Sequence, residues 1–179
     1  MTRQVALLRG INVGGNKRVA MADLRALLES LGYTDVRTLL QSGNAVYTGP
    51  DSPAEAAAAI EAAIVERLGM RVRVLVRTRD ELAAVVAANP LAEVAVDGSR
   101  HMVVFLSGVP ARAALAAIDV AAHAPDRLVH PGGRELYAWC PAGIGRSLWF
   151  PLLDERRLGV TPTARNWNTV TKLLELADA

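Results

Sequence analysis

Ser52-Pro53-Ala54-Glu55 constrains this chain more tightly than any other stretch. A Ser followed three residues later by Glu is a capping box, and Pro at the first helical position pre-sets the backbone angle. A helix therefore starts at residue 53 and runs to Leu68, where Gly69 ends it. The flanking patterns fall into place around it. Residues 4–9, apolar from Val5 to Leu8, precede a Gly-rich loop and read as a buried strand. Met21, Leu24, Leu27, Leu28 and Leu31 recur at helical spacing before Gly32, which gives a helix at about 20–31. Val36 to Leu40 and Ala45 to Tyr47 flank Gln41-Ser-Gly-Asn44 as a hairpin. Arg71 to Arg77 alternates with Val72, Val74 and Val76 on one face, and Arg71, Arg73 and Arg77 are expected to charge an edge strand against aggregation. The order is β-α-β-β-α-β, the ferredoxin-like one.

Thr78-x-x-Glu81 is a second capping box, opening a connecting helix that stops before Asn89-Pro90. A looser copy of the first half follows, with a strand at 101–106, a helix at 110–122, a strand at 126–130, a Pro131-Gly132-Gly133 turn, a strand at 134–140 and a helix after Gly143. The closing strand is missing from this reading; Thr161-Pro162-Thr163 leads instead into a final helix to about 177. The expectation is an α+β protein of two ferredoxin-like (βαββαβ) halves in tandem, the second a variant, plus a C-terminal helix. Residues 1–78 form the first half, 79–99 a connecting helix and loop, and 100–179 the second half.

A chain of 179 residues, 51% hydrophobic, is long enough to bury a self-sufficient core. Its single cysteine, Cys140, excludes an intrachain disulfide, and His101, His123 and His130 have no metal-type spacing with it, so neither a metal site nor a cofactor is named by the pattern. The Val5–Leu8 run is too short for a signal-peptide core, and nothing approaches the ~18 apolar residues of a membrane span, so a cytoplasmic protein with no membrane contact is expected. The formal charge of +2 leans weakly toward anionic partners.

Polar chemistry is gathered in three stretches: Arg9 to Lys17, Gln41 to Asn44, and Thr163 to Lys172. They hold both lysines of the chain and five of its six asparagines. The candidate ligand-binding residues are Arg9, Asn12, Gly14, Gly15 and Lys17 in the first, Gln41, Ser42 and Asn44 in the second, and Arg165, Asn166, Thr169 and Lys172 in the third. The first stretch is not a phosphate loop of the G-x-x-x-x-G-K-[ST] kind, since Asn16 stands where Lys belongs and Arg18 where Ser or Thr belongs. Read as a helix, the third stretch sets Arg165, Thr169 and Lys172 opposite Trp167, Val170, Leu174 and Ala177. Arg165 would then oppose the helix dipole in its first turn, a conflict that a shared anion removes. Each stretch also has a plain structural reading, as a tight turn, a hairpin turn and an amphipathic surface helix.

Two weaker candidates are Gly143-Ile-Gly-Arg-Ser147, an anion-holding helix start or a simple Ser cap, and Cys140, a nucleophile with no identifiable base. The clustered side chains donate hydrogen bonds and include no carboxylate or imidazole, so no general base is evident. The favoured reading is a small anionic ligand, phosphate-bearing or nucleotide-like, in a cleft of the first loop, the Gln-Ser-Gly-Asn hairpin and the C-terminal helix. The alternatives are an RNA-binding module, with Tyr137 and Trp139 as a two-ring platform or as core, and a protein-interaction scaffold.

Leu8-Arg-Gly-Ile-Asn-Val-Gly-Gly-Asn-Lys17, Leu40-Gln-Ser-Gly-Asn44 and Thr163-Ala-Arg-Asn-Trp-Asn-Thr-Val-Thr-Lys-Leu173 resemble the signature segments of the bacterial family called domain of unknown function 1697. The resemblance spans almost the whole chain. It implies tandem ferredoxin-like halves and no mechanism. Where that family often carries Lys-Leu after Gly-Arg-Ser, this chain has Leu148-Trp149, so a role for a lysine there does not carry over.

Overall fold

The computed structural model describes residues 1–179 as two separate four-stranded antiparallel sheets with six α-helices, an α+β arrangement. In the first sheet β1 (Thr2–Leu8) is central, with β3 (Asn44–Gly49) on one side and β4 (Val74–Thr78) on the other; β2 (Thr34–Leu39) lies beyond β3. Val5 to Leu8 are fully buried. Burial on both faces of a strand hydrogen-bonded along both edges favours apolar side chains, and this is why the run reads so clearly in the sequence; Gln4 of the same strand is buried too, with Nε2 donating to the Asp51 carbonyl at 2.6 Å. Register places Val5 between Val46 and Arg77. Both helices of this region, α1 (Met21–Ser30) and α2 (Pro53–Leu68), share one core with the sheet, in which Leu24, Leu27 and Leu28 meet Ala6, Leu8 and Tyr47, with Ile60 and Ile64 beside them.

The start of α2 is built as its sequence requires. Ser52 Oγ accepts from the Glu55 N–H at 3.4 Å while Glu55 Oε2 accepts from the Ser52 N–H at 3.0 Å, and Gly69 closes the helix with φ 65°. The second box holds as well. The Glu81 N–H donates to Thr78 Oγ1 at 3.1 Å and the Thr78 N–H to Glu81 Oε2 at 2.8 Å, opening α3 (Arg79–Ala87).

The second sheet has β5 (His101–Leu106) at its centre, flanked by β7 (Glu135–Trp139) and β8 (Pro162–Asn166), with β6 (Arg127–Val129) beyond β7. Three expectations are corrected here. The closing strand is present as β8, paired with β5 from Leu106↔Pro162 to Met102↔Asn166. It was hidden because Pro162 looks like a strand breaker, yet β8 is an edge strand and Pro162 is its first residue, where a missing N–H is tolerated. The helix expected at 110–122 shrinks to α4 (Arg112–Ala116), since Asp119 Oδ1 accepts from the Ala122 N–H at 3.1 Å and starts a separate 3₁₀ turn at Ala121–His123. The helix expected after Gly143 is two 3₁₀ turns, Ile144–Arg146 and Phe150–Leu152, followed by the four-residue α5 (Glu155–Leu158). Ser147 Oγ accepts from the N–H of Phe150, the first residue of the second turn, at 3.0 Å. The core of this region gathers Val104, Leu106, Leu136 and Ala138 with Trp149 and Leu158.

The last helix, α6, spans Trp167–Asp178. The chain divides into two compact units, Met1–Ala84 with Lys172–Ala179, and Val85–Thr171. Within the first unit the end of α6 is held by Arg3, whose guanidinium donates to the Leu176 carbonyl at 3.3 Å, and by an Arg79–Asp178 ion pair at 2.6 Å. Within the second, Tyr137 Oη donates to the Val85 carbonyl at 2.7 Å.

Gly43 is where β1 and the hairpin turn meet most closely. Its carbonyl accepts from the Leu8 N–H at 2.9 Å, its φ is +88°, and a Cβ there would lie 2.6 Å from Ile11 Cδ1 and 2.9 Å from Leu8 Cβ. Gly43→Ala combines left-handed backbone strain with overpacking and is expected to destabilise by about 2–5 kcal/mol. Chemical denaturation measures this; an unchanged midpoint would contradict the packing described.

Candidate functional site

The tip of the first loop is a two-residue turn. Gly14 and Gly15 have φ of 58° and 79°, and Val13 and Asn16 form an antiparallel bridge across them. Positive φ at both central positions defines a hairpin turn of type I′, which explains the glycine pair without a ligand. Below the tip, Asn12 has φ 54° and its N–H donates to the Lys17 carbonyl at 3.1 Å. Its carboxamide is occupied on both sides. Oδ1 accepts from the Val19 N–H at 2.9 Å, and Nδ2 donates to the Val19 carbonyl at 2.9 Å and to the Gln41 carbonyl at 2.6 Å. The first loop and the Gln-Ser-Gly-Asn turn are therefore joined directly.

Asn44 is fully buried, and Nδ2 donates to the Leu39 carbonyl at 2.8 Å and to Ser42 Oγ at 3.0 Å. Its amide thus satisfies its own turn. Gln41 and Ser42 are exposed at the turn, and Arg9 is half-buried with its N–H donating to the Arg73 carbonyl at 2.9 Å.

The third stretch departs from its helical projection. Arg165 lies in β8, opposite Val103, and not in the first turn of a helix, so the expected conflict with the dipole does not arise. It is buried, with Nη1 donating to Thr163 Oγ1 and to the Ala164 carbonyl, both at 2.9 Å; burial pushes its pKa down to about 10, which leaves it charged at neutral pH. Asn166 Oδ1 caps α6 through the N–H of the buried Thr169 at 2.9 Å. Asn168 presses on Gly98, where a Cβ would lie 2.1 Å from its Oδ1. Lys172 is exposed and paired with Glu175 at 2.9 Å. In this structure the amides of the third stretch cap and pack.

Other candidates resolve simply. Cys140 is buried, and its thiol is pushed up to about 11, first by burial and then by the charge of Asp126, against a weaker lowering by a hydrogen bond from Ser147. That is the environment of an inert thiol. Tyr137 and Trp139 are core, 2% and 7% exposed, and offer no stacking platform. Leu148 is 76% exposed, whereas Trp149 is buried with Nε1 donating to Asp126 Oδ2 at 2.8 Å, so the Leu-Trp departure adds a core anchor. No three His, Cys, Asp or Glu side chains are grouped so as to hold a metal ion.

One group of residues was read differently from the sequence. Arg77, expected among edge charges, is 2% exposed, with Nη1 donating to the Val76 carbonyl at 3.1 Å. Arg71 and Arg73 are exposed as expected, but they meet the first loop. Lys17 Nζ donates to the Arg71 carbonyl at 2.7 Å, while the Arg73 carbonyl receives the Arg9 N–H. Lys17, Arg71 and Arg73 line one cavity of about 570 Å³ with Glu61 and residues of α2. Glu61 is the one carboxylate of that lining; its Oε1 accepts from the Val74 N–H at 2.8 Å and stands 3.7 Å from Arg73 Nε. The cationic excess across the loop and the approach to β4 was not visible in either segment alone.

This chain belongs to the family described as protein of unknown function DUF1697, whose model matches residues 1–137. Its structure is similar over 98% of both chains to that of SP0830, a conserved bacterial protein from Streptococcus pneumoniae, with a TM-score of 0.71 and 22% identity. At that identity the likeness speaks for the fold alone. Comparison with curated proteins gives no match. No helix is long and apolar enough to cross a membrane.

His101 offers a test of the packing around the third stretch. It is fully buried, neither ring nitrogen makes a hydrogen bond, and the imidazole stacks on Trp167 with centroids 4.8 Å apart and planes at 15°. Burial lowers its pKa below the ordinary 6.5. The unfolded chain therefore takes up a proton at a pH where the folded one does not. Stability is fully present above about pH 6.5 and falls below it, by at most about 1.4 kcal/mol per pH unit, until the folded-state pKa is passed. His101→Phe keeps the stack and should remove this component; urea titrations at pH 7 and pH 5 that fall in parallel for parent and variant would contradict it.

Proposed function

We propose that the protein binds a small, phosphate-bearing or nucleotide-like anion on its first unit, where the loop at 9–18 meets residues 71–73. The observation that carries this reading is the seating of the Lys17 ammonium on the Arg71 carbonyl, in a cavity that Arg71 and Arg73 also line. A lysine has three N–H donors, and one bond to a backbone carbonyl leaves two for a ligand. Three cations against one carboxylate leave the cavity net positive, and a monoanion held by two of them gains charge-assisted hydrogen bonds. The turn at Gly14-Gly15 supports this by fixing the loop that bears Lys17. No catalytic step is part of the reading, since no base faces the cavity except Glu61, which is already engaged.

The β-α-β-β-α-β order of the first unit, with strands in the order β2-β3-β1-β4, also supports a ferredoxin-like assignment, and β6-β7-β5-β8 repeats that order in the second. A ferredoxin-like sheet invites the RNA-binding reading, which lacks support here because Tyr47, Tyr137 and Trp139 are buried. A cytoplasmic location fits an intracellular anion as ligand and belongs to the same proposal.

Calorimetric titration with inorganic pyrophosphate tests it. Saturable binding by the parent should weaken roughly tenfold in Lys17→Ala and again in Arg71→Ala, the scale of one charge-assisted bond each. Absence of binding, or affinities unchanged in both variants, would refute it. Salt-sensitive retention of generic single-stranded RNA that survives both substitutions would favour the nucleic-acid alternative.

A further inference from the structure

We infer that the anion taken by this cavity carries a compact apolar body, so that the ligand class is an aryl or short branched-alkyl phosphate and not a bare inorganic ion. This rests on the anion-binding reading of the same face. It comes from the apolar side of the cavity, which carries none of its charge. Ala58, Ala62 and Val65 line this floor from α2, and Val72 lines it from the approach to β4. Along α2 these three positions fall at spacings of four and three, one stripe down the helix. The core-facing stripe is a different one, made by Ala56, Ile60, Ala63 and Ile64. This helix is thus apolar on two faces, and the second lines the same cavity as Lys17, Arg71 and Arg73.

A solvated helix face ordinarily carries charged and long polar residues. Here Ala58 and Ala62 are exposed and Val65 is 47% exposed. The cavity they line measures about 570 Å³, within the range of roughly 300–1,000 Å³ typical of small-molecule sites. A bare phosphate would engage the rim and leave that floor in water. Glu61 does not spoil the floor, because its carboxylate is turned to the Val74 N–H at one edge. An apolar floor under a cationic rim complements a molecule with a negative head and an apolar body, and a ring that removes ~100 Å² of apolar surface from water should gain roughly tenfold or more in affinity.

The test compares inorganic phosphate with phenyl phosphate in the parent and in Ala62→Gln combined with Val65→Ser, two exposed positions where folding is not at risk. The parent should bind phenyl phosphate at least about tenfold more tightly than inorganic phosphate, and the variant should lose that preference while its affinity for inorganic phosphate stays the same. Equal affinities in the parent, or a preference that survives in the variant, would overturn the inference and leave the anion reading standing. Failure of both probes and of pyrophosphate would overturn both.

Discussion

One carboxamide sets the shape of the first loop. Asn12 pairs with both backbone groups of Val19 and reaches across to the carbonyl of Gln41, so a single side chain closes the loop on itself and ties it to the hairpin turn. An asparagine does this where an aspartate cannot, because two of the three bonds require N–H donors. With the loop closed, Lys17 is carried to the Arg71 carbonyl and Arg9 to the Arg73 carbonyl. The place of Lys17 among the basic residues of the cavity is thus a consequence of the loop's internal hydrogen bonding, and the apolar lining belongs to a helix whose start is fixed independently by its own capping box.

The two units repeat more than an order of elements. β4 ends in Val76-Arg77-Thr78 and passes into α3; β8 ends in Ala164-Arg165-Asn166 and passes into α6. Each arginine is buried, faces a valine of the central strand, Val5 or Val103, and donates to the carbonyl of the residue before it. Each following residue caps its helix, Thr78 within a box with Glu81 and Asn166 through its amide. The equivalence escapes a reading of the sequence because the two caps use different chemistry and only the first leaves a recognisable spacing.

Much of the fold was legible for physical reasons that can be named. α2 was placed correctly at both ends, since Ser52, Glu55 and Gly69 act locally and owe nothing to distant contacts. β5 was placed at 101–106 because a central strand leaves an apolar signature. Elements defined by competition were not legible: Asp119 interrupts a helix that periodicity would continue, and Pro162 starts an edge strand that its residue type seems to forbid. For the site, clustered asparagines located the places where side chains stand in for backbone partners, and Asn12, Asn44 and Asn166 all do so here. The floor of the cavity was invisible because alanine in a helix reads as propensity. Arg71 and Arg73 read as protection for an edge, because the residues of the first loop that meet their carbonyls, Lys17 and Arg9, lie far away in sequence.

The proposed ligand site is one cavity of the first unit, with its basic and apolar sides engaged together. Amide chemical-shift mapping with phenyl phosphate tests this most directly, because it locates a ligand without presuming which residues matter. Shifts should saturate together at Lys17, Ala58, Ala62, Val65 and Arg71 to Arg73, with residues of β5 to β8 unmoved. Saturating shifts centred elsewhere, or shifts confined to the rim with Ala58, Ala62 and Val65 unmoved, would contradict it.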